Sequence, residues 1–272
     1  MSFRYITFLT DFGLQDDFVG VCRGVMRGIA PEATVIDVTH GIPPQAVTQG
    51  AVVLARALPY LPVCVHLAVV DPGVGSRRRP VAVRTRSGRI LVGPDNGLLM
   101  RAADGEGIDA ARALTNDRYH LEDVSRTFHA RDIFAPVAAH LAAGVPFDDL
   151  GRSIDPEALV RVDLPEPEVG NAKLVASVVT IDRFGNLALN VTREHLEKLS
   201  LGPGDWVELH FSLDPYYAQI AETFADAKPG GLILYEDSYD AIAIAVRDGN
   251  AARLTGAAPG DRVRLRVIAA PE

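Results

Sequence analysis

The sequence predicts an α/β N-terminal domain with βαβ units and a mainly parallel sheet, followed by a smaller all-β barrel domain. Three observations predict it. Strand-like and helix-like segments alternate from Arg4 to Val70, the pattern that builds parallel βαβ units. The stretch Asp163–Asn171, reading DLPEPEVGN, carries two prolines and a glycine and marks a break between domains. Beyond it the chain turns into short, β-rich, turn-separated segments, as in a small barrel or sandwich. These place an α/β domain over 1–163, a linker over 164–171 and a barrel over 172–272. A length of 272 residues suits two domains, and a hydrophobic content of 48% is ample for their cores.

Each element follows from its residues. Arg4–Leu9 (RYITFL) reads as a first strand running into Thr10-Asp11. Phe18, Val21, Cys22, Val25, Met26 and Ile29 then recur at helical spacing, and Pro31 closes that helix. Asp16 and Asp17 precede it, where the helix dipole favours negative charge, so capping is their plain reading. Val35–Val38 is a second strand, Gln45–Leu58 a second helix with Val47, Ala51, Leu54 and Leu58 on one face, and Val63–Val70 a third strand. That strand ends abruptly in Asp71-Pro72-Gly73, and Arg77, Arg78 and Arg79 follow. Ligands of open α/β sheets bind outside the carboxyl ends of the strands, so Asp11 and Asp71 stand where working residues are expected. The plain alternative is a loop with one surface ion pair.

Val81–Thr85 and Arg89–Val92 form a hairpin around Ser87-Gly88, and Gly93–Gly97 a tight turn placed to line a site. Gly73-Val74-Gly75-Ser76 lacks the lysine and spacing of a phosphate loop; it reads as a turn that also lets a substrate approach closely. Thr127–Asp132 opens a helix reaching about Ala143, with His129 at its start, where the ring can point into the crevice. A lone histidine is more often structural than catalytic. Past the linker, Leu174–Ile181, Leu187–Val191, Val207–Phe211, Leu232–Tyr235, Ala241–Val246 and Val263–Ile268 read as strands, with short helices at Arg193–Lys198 and near Ala218–Ala225.

Bulk properties narrow the function. A net charge of −8 with no basic block argues against nucleic acid and suits a cationic or zwitterionic small ligand. Cys22 and Cys64 lie in apolar runs, as buried thiols do, and no CxxC or Cys/His metal spacing is present. The opening MSFRYITFLTD is too short and too soon interrupted for a signal peptide, and no run of 18 apolar residues exists, so neither secretion nor a membrane span is expected. A cytoplasmic protein is the default.

Six stretches in register, TDFGLQDDFVGVCRGVM, VIDVTHGIPP, VVDPGVGSRRRP, VGPDNGLL, TFHARDIFAPVAAHLAAG and IDRFGN, resemble one family. It is the S-adenosylmethionine (SAM) hydrolases that form adenosine, or SAM hydroxide adenosyltransferases, whose relatives fluorinate or chlorinate SAM. The resemblance implies a homotrimer with SAM held between the first domain of one subunit and the second domain of its neighbour, and no cofactor. It implies catalytic roles for Asp71, Arg78 and His129. Asp11 would grip the ribose hydroxyls and Asp16 the methionine part. Asp182 and Ser238 would hold the amino-acid group, and Phe184, Asn186, Asn250 and Ala251 the adenine. Gln45 and Ala130 stand where halogenating enzymes cradle a halide, and Asp71 and His129 where those enzymes carry tyrosines, which argues against halide chemistry. Phe18 and Tyr239-Asp240 also depart from the halogenase residues near the methionine.

SAM is a sulfonium, so methionine leaves without a general acid, and the demand falls on the water that attacks the 5′ carbon. The residues leave open whether His129 or Asp71 takes its proton, with Arg78 stabilising the developing charge. Three other readings remain: a metal-dependent hydrolase using Asp11, Asp16, Asp17, Asp71, Asp95, His129 and Asp132, though without His-x-His or HExxH spacing; a non-catalytic SAM or adenosine binder; and a halogenase.

Overall fold

The computed structural model describes residues 2–211 and 214–270. The chain divides into two compact units, Met1–Val162 and Asp163–Glu272.

The first unit is α/β. Strands β1 (Tyr5–Thr10), β2 (Thr34–Thr39), β3 (Val65–Val69), β4 (Pro80–Thr85), β5 (Ile90–Pro94), β6 (Ile108–Ala113) and β7 (Ser153–Ile154) form one sheet in the order β2-β1-β3-β5-β4-β6-β7. The four strands from β2 to β5 in that order run parallel. β4, β6 and β7 extend the sheet antiparallel. Helices α1 (Phe18–Ile29) and α4 (Ala135–Ala142) serve one core, and α2 (Val47–Ala57) and α3 (Met100–Glu106) the other. Strand alternation feeds both: Val65, Leu67 and Val69 enter the first core, Ala68 and Val70 the second. A crossover helix between parallel strands must lie on a sheet face, so both faces become buried.

The second unit is a closed barrel. β9 (Lys173–Ile181), β10 (Leu187–Leu189), β11 (Trp206–His210), β12 (Pro215–Ile220), β13 (Leu232–Glu236), β14 (Ile242–Val246) and β15 (Arg262–Ile268) pair in the cycle β10-β14-β13-β12-β11-β15-β9-β10. Only β12–β13 is parallel. Short helices α5 (Arg193–Glu197) and α6 (Ala251–Thr255) complete it around one apolar core.

Three sequence expectations need correction. The stretch read as a linker contains a strand, β8 (Glu168–Gly170), hydrogen-bonded to β9 outside the ring. Ala218–Ala225 is not a helix. Its first residues finish β12, paired with β11 and β13, and only Phe224–Asp226 makes a 3₁₀ turn; strand partners on both sides override alanine's helix propensity. The helix predicted from Thr127 begins later, with a π-helical turn at Ala130–Phe134 that passes into α4. No helix among the described residues is long and apolar enough to cross a membrane.

Candidate active site

β1 and β3 are parallel neighbours with Thr10 beside Val69. Each strand therefore delivers its following acid, Asp11 and Asp71, to the same carboxyl edge of the sheet. A cleft of about 380 Å³ opens there, lined by both acids, by His129 and by Phe12, Phe18 and Phe128. The three phenylalanines meet edge to face, with centroids 5.3 to 6.0 Å apart.

The chain after β3 doubles back. Val74 N donates to the Asp71 carbonyl at 3.2 Å, Ser76 N to the Gly73 carbonyl at 3.0 Å, and Arg78 N to Ser76 Oγ at 3.2 Å. These turns bring Arg78 onto the acid seven residues earlier. Its Nε donates to Asp71 Oδ1 at 2.9 Å and Oδ2 at 3.0 Å, and Nη2 donates to Oδ2 as well. The same Nη2 lies 3.0 Å from His129 Nδ1. The guanidinium stacks over Phe134, 5.0 Å from its centroid. The Arg78 and Asp71 side chains are only 8% and 6% exposed, so this is a buried pair and not the surface ion pair of the plain reading. Asp71 and His129 line the cleft; Arg78 is not among its lining residues.

A guanidinium has no acceptor, so His129 Nδ1 must accept, and the neutral ring carries its hydrogen on Nε2. Burial, and then the charge of Arg78, hold the His129 pKa below its ordinary value against the opposing pull of Asp71 and Asp132. Gly75 also makes room for another segment. At φ +76°, a Cβ there would lie 2.5 Å from the Arg126 carbonyl, so the glycine admits the loop that carries His129.

Asp11 Oδ2 accepts the Gln45 amide at 2.8 Å, and Gln45 sits in the left-handed region at φ 67°. Asp16 lies exposed on the loop before α1 and does not line the cleft. Asp17, at the N-cap of α1, makes no side-chain capping bond. The Gly93–Gly97 turn is structural: Asp95 pairs with Arg79 and accepts the Val160 amide at 2.9 Å, and Asn96 Nδ2 donates to the Val70 carbonyl at 2.8 Å. Among the described residues, no group of three or more His, Cys, Asp or Glu is placed to hold a metal ion.

In the second unit, Asp182 organises its own loop. Its Oδ1 accepts the amides of Phe184 (2.8 Å) and Asn186 (2.9 Å), and its Oδ2 accepts Asn186 Nδ2 at 2.8 Å. Gly185, at φ +86°, lets this loop press on Asn250; a Cβ there would lie 2.2 Å from the Asn250 amide group. The Ala252 amide donates to the Gly185 carbonyl at 2.9 Å, and Asn250 Oδ1 caps α6 through the Arg253 amide at 2.7 Å. Asp182, Phe184, Asn186, Asn250 and the buried Ala251 thus gather at one place, with Phe184 73% exposed. Ser238 is exposed on the β13–β14 hairpin. Tyr235, its pKa pushed up to about 12 by burial and then by Asp182 and Asp237, lies within electrostatic reach of both the loop and the hairpin.

The model of the SAM hydroxide adenosyltransferase N-terminal domain matches residues 6–151, and that of the C-terminal domain matches residues 176–264. The chain belongs to the SAM hydroxide adenosyltransferase family. This bears out the resemblance read from the six sequence stretches. A protein of Salinispora arenicola named (R)-S-adenosyl-L-methionine hydrolase is 48% identical, over 97% of this chain and 98% of its own length. A fluorinase of Nocardia brasiliensis is 32% identical, over 88% of this chain and 89% of its own. The crystal structure of an uncharacterized conserved protein from Thermotoga maritima superposes with a TM-score of 0.90 at 36% identity, covering 96% of this chain and 99% of that one.

Some residues of this SAM hydroxide adenosyltransferase site escaped sequence reasoning. Phe12 and Phe128 gave no signal except adjacency to Asp11 and His129. Asp132 figures in the sequence only as a metal-ligand candidate, yet its carboxylate is fully buried beside the loop that leads into His129.

Proposed function

We propose that this chain hydrolyses S-adenosyl-L-methionine to adenosine and L-methionine. Family membership and relatives named (R)-S-adenosyl-L-methionine hydrolase support the reaction. The structural observation that carries it is one guanidinium gripping a carboxylate and an imidazole that both face an aromatic cleft. A water oxygen attacks the 5′ carbon in line with the C–S bond. The bond pair leaves on sulfur as neutral methionine, and the water gives up a proton. Free hydroxide at neutral pH would cost about 12 kcal/mol, from a water pKa of about 15.7 and about 1.36 kcal/mol per unit. The water is therefore deprotonated during attack.

Asp71 is the base in this reading. The one lone pair of His129 is already taken by Arg78, whereas a carboxylate has about four acceptor sites and the guanidinium bonds occupy three. His129 fixes Arg78, and Arg78 fixes the direction of the Asp71 oxygens. Asp11 holds the ribose. Asp16 and the cluster around Asp182, Phe184, Asn186, Ser238, Asn250 and Ala251 bind the methionine and adenine ends, the latter cluster supplied by a neighbouring copy in a homotrimer, as the family resemblance suggests. Light scattering should return three times the monomer mass. No cofactor takes part, and turnover should survive a strong chelator. Two buried free thiols, Cys22 and Cys64, suit a reducing cytoplasm.

Chromatography after incubation with SAM, offered as both sulfonium epimers, tests the reaction. Adenosine and methionine are expected. Unchanged SAM beside measurable binding would make the chain a binding protein, and a halogenated nucleoside formed with fluoride or chloride would make it a halogenase. Asp71→Asn should lower kcat by about 10²–10⁴-fold with SAM still bound. The wild-type rate should hold steady as pH falls through about 6.5, the ordinary histidine value, because the His129 pKa lies lower and its lone pair is not the proton acceptor. A rate that halves near that pH would mean that the His129 ring is not held below its ordinary value and that its neutral form is needed for turnover.

A further inference from the structure

We propose that Asp132 is a positioning residue that holds His129 in register with Arg78 by tying down the loop Leu121–Phe128 at Leu121 and at Ser125. The inference rests on the hydrolytic reading of the cleft above.

Asp132 sits within the π-helical turn Ala130–Phe134, and its side chain is wholly buried. Removing a carboxylate from water is costly unless its bonds compensate. Its ion pair with the preceding residue, Arg131, spans no tertiary distance: Arg131 Nε donates to Oδ1 at 2.6 Å and Nη2 to Oδ2 at 3.1 Å. The contacts that reach elsewhere all go to one loop. Asp132 Oδ2 accepts the Ser125 amide at 2.8 Å, and the Asp132 carbonyl accepts the Leu121 amide at 2.9 Å. Ser125 passes the constraint on. Its Oγ accepts the amide of Phe128, the residue directly before His129, at 2.9 Å. Arg131 in turn stacks over Phe128, 5.1 Å from the ring centroid.

The loop needs such an anchor. Glu122, Asp123, Val124, Arg126 and Thr127 are all exposed, so packing does little to fix it. Yet the loop ends in Phe128 and His129, which line the cleft. The π turn is what places an acid here, since π turns interrupt helical register and gather at functional sites. Asp132 touches neither the cleft nor Arg78; it acts through Ser125 and the Phe128 amide on the residue that follows, His129.

The test is a double-mutant cycle on turnover. Asp132→Asn keeps the shape and removes the charge. It should lower kcat by about 10–100-fold at nearly unchanged KM, since a small misplacement of a reacting constellation costs up to about 100-fold. In the His129→Ala background the same substitution should have no further effect on kcat. Unchanged kcat in Asp132→Asn, or an equal loss with and without His129, overturns the proposal. If Asp132→Asn does not fold, Ser125→Ala carries the same cycle with the same two outcomes. Full activity of His129→Ala would instead defeat the catalytic reading of the cleft, a failure distinct from that of Asp132.

Discussion

Arg78→Ala is expected to abolish nearly all turnover and to destabilise the fold in the same step. Among the described residues the guanidinium makes the side-chain hydrogen bonds of Asp71, and it holds His129 Nδ1. Without it, the carboxylate loses its direction and stays 6% exposed with no counter-charge. Leaving one partner of a buried pair behind costs about 3–5 kcal/mol. On the kinetic side, kcat should fall by at least about 10³-fold, because both cleft-facing groups lose their setting together. Arg78→Lys should recover little, since an ammonium cannot reproduce a planar fork that reaches an acid and an imidazole at once. Adding Asp71→Ala to Arg78→Ala should restore much of the stability and none of the turnover. Denaturant unfolding alongside steady-state rates decides this, and an Arg78→Ala protein within tenfold of wild-type kcat would remove the clamp from the mechanism.

Stability should fall steeply on mild acidification, well before the carboxylates titrate. Burial, with a contribution from Arg89, holds the His66 pKa at about 3. Burial and then Arg23 hold that of His40 at about 4. Each Nδ1 lies 2.8 Å from a threonine hydroxyl, of Thr7 and Thr10 respectively, a neutral partner that confers no charge preference. Asp37 approaches His40, but Arg23 pairs with that carboxylate and leaves no free anion to favour an imidazolium. The folded values lie below the unfolded value of about 6.5, so the unfolded chain binds protons first as pH drops. The stabilisation is complete above pH 6.5 and is lost downward towards the folded values. At pH 5 each histidine has forfeited about 2 kcal/mol, and the pair about 4 kcal/mol. Unfolding free energies at pH 7 and pH 5 measure the difference, and His66→Asn should remove about half of the slope. Equal stability at the two pH values would mean that these rings are not held neutral.

Much of this was legible in the residues. Apolar runs ending in Asp11 and Asp71 pointed to strand ends at a shared sheet edge, and those acids do line one cleft. That Arg78 meets His129, 51 residues away, was implied only by the family resemblance, because no local pattern encodes a contact of that separation. The same limit hid the Gly75–Arg126 approach and the tie from Asp132 to Ser125. Periodicity failed differently at Pro215–Ile220, where alanine and glutamine blurred a strand that its neighbours enforce. The π turn left no mark at all, since ARDIF reads equally well as an α-helix.

Asp11 and Asp71 follow adjacent parallel strands whose partner residues, Thr10 and Val69, are fixed by main-chain pairing. Neighbouring strands in any sheet stand about 4.8 Å apart. The spacing between these two acids is therefore gauged by the lattice constant of the sheet itself, a ruler common to all β-structure. Surface loops are free to drift over evolutionary time without changing that calibration, while a one-residue slip between β1 and β3 would miscalibrate it at a stroke.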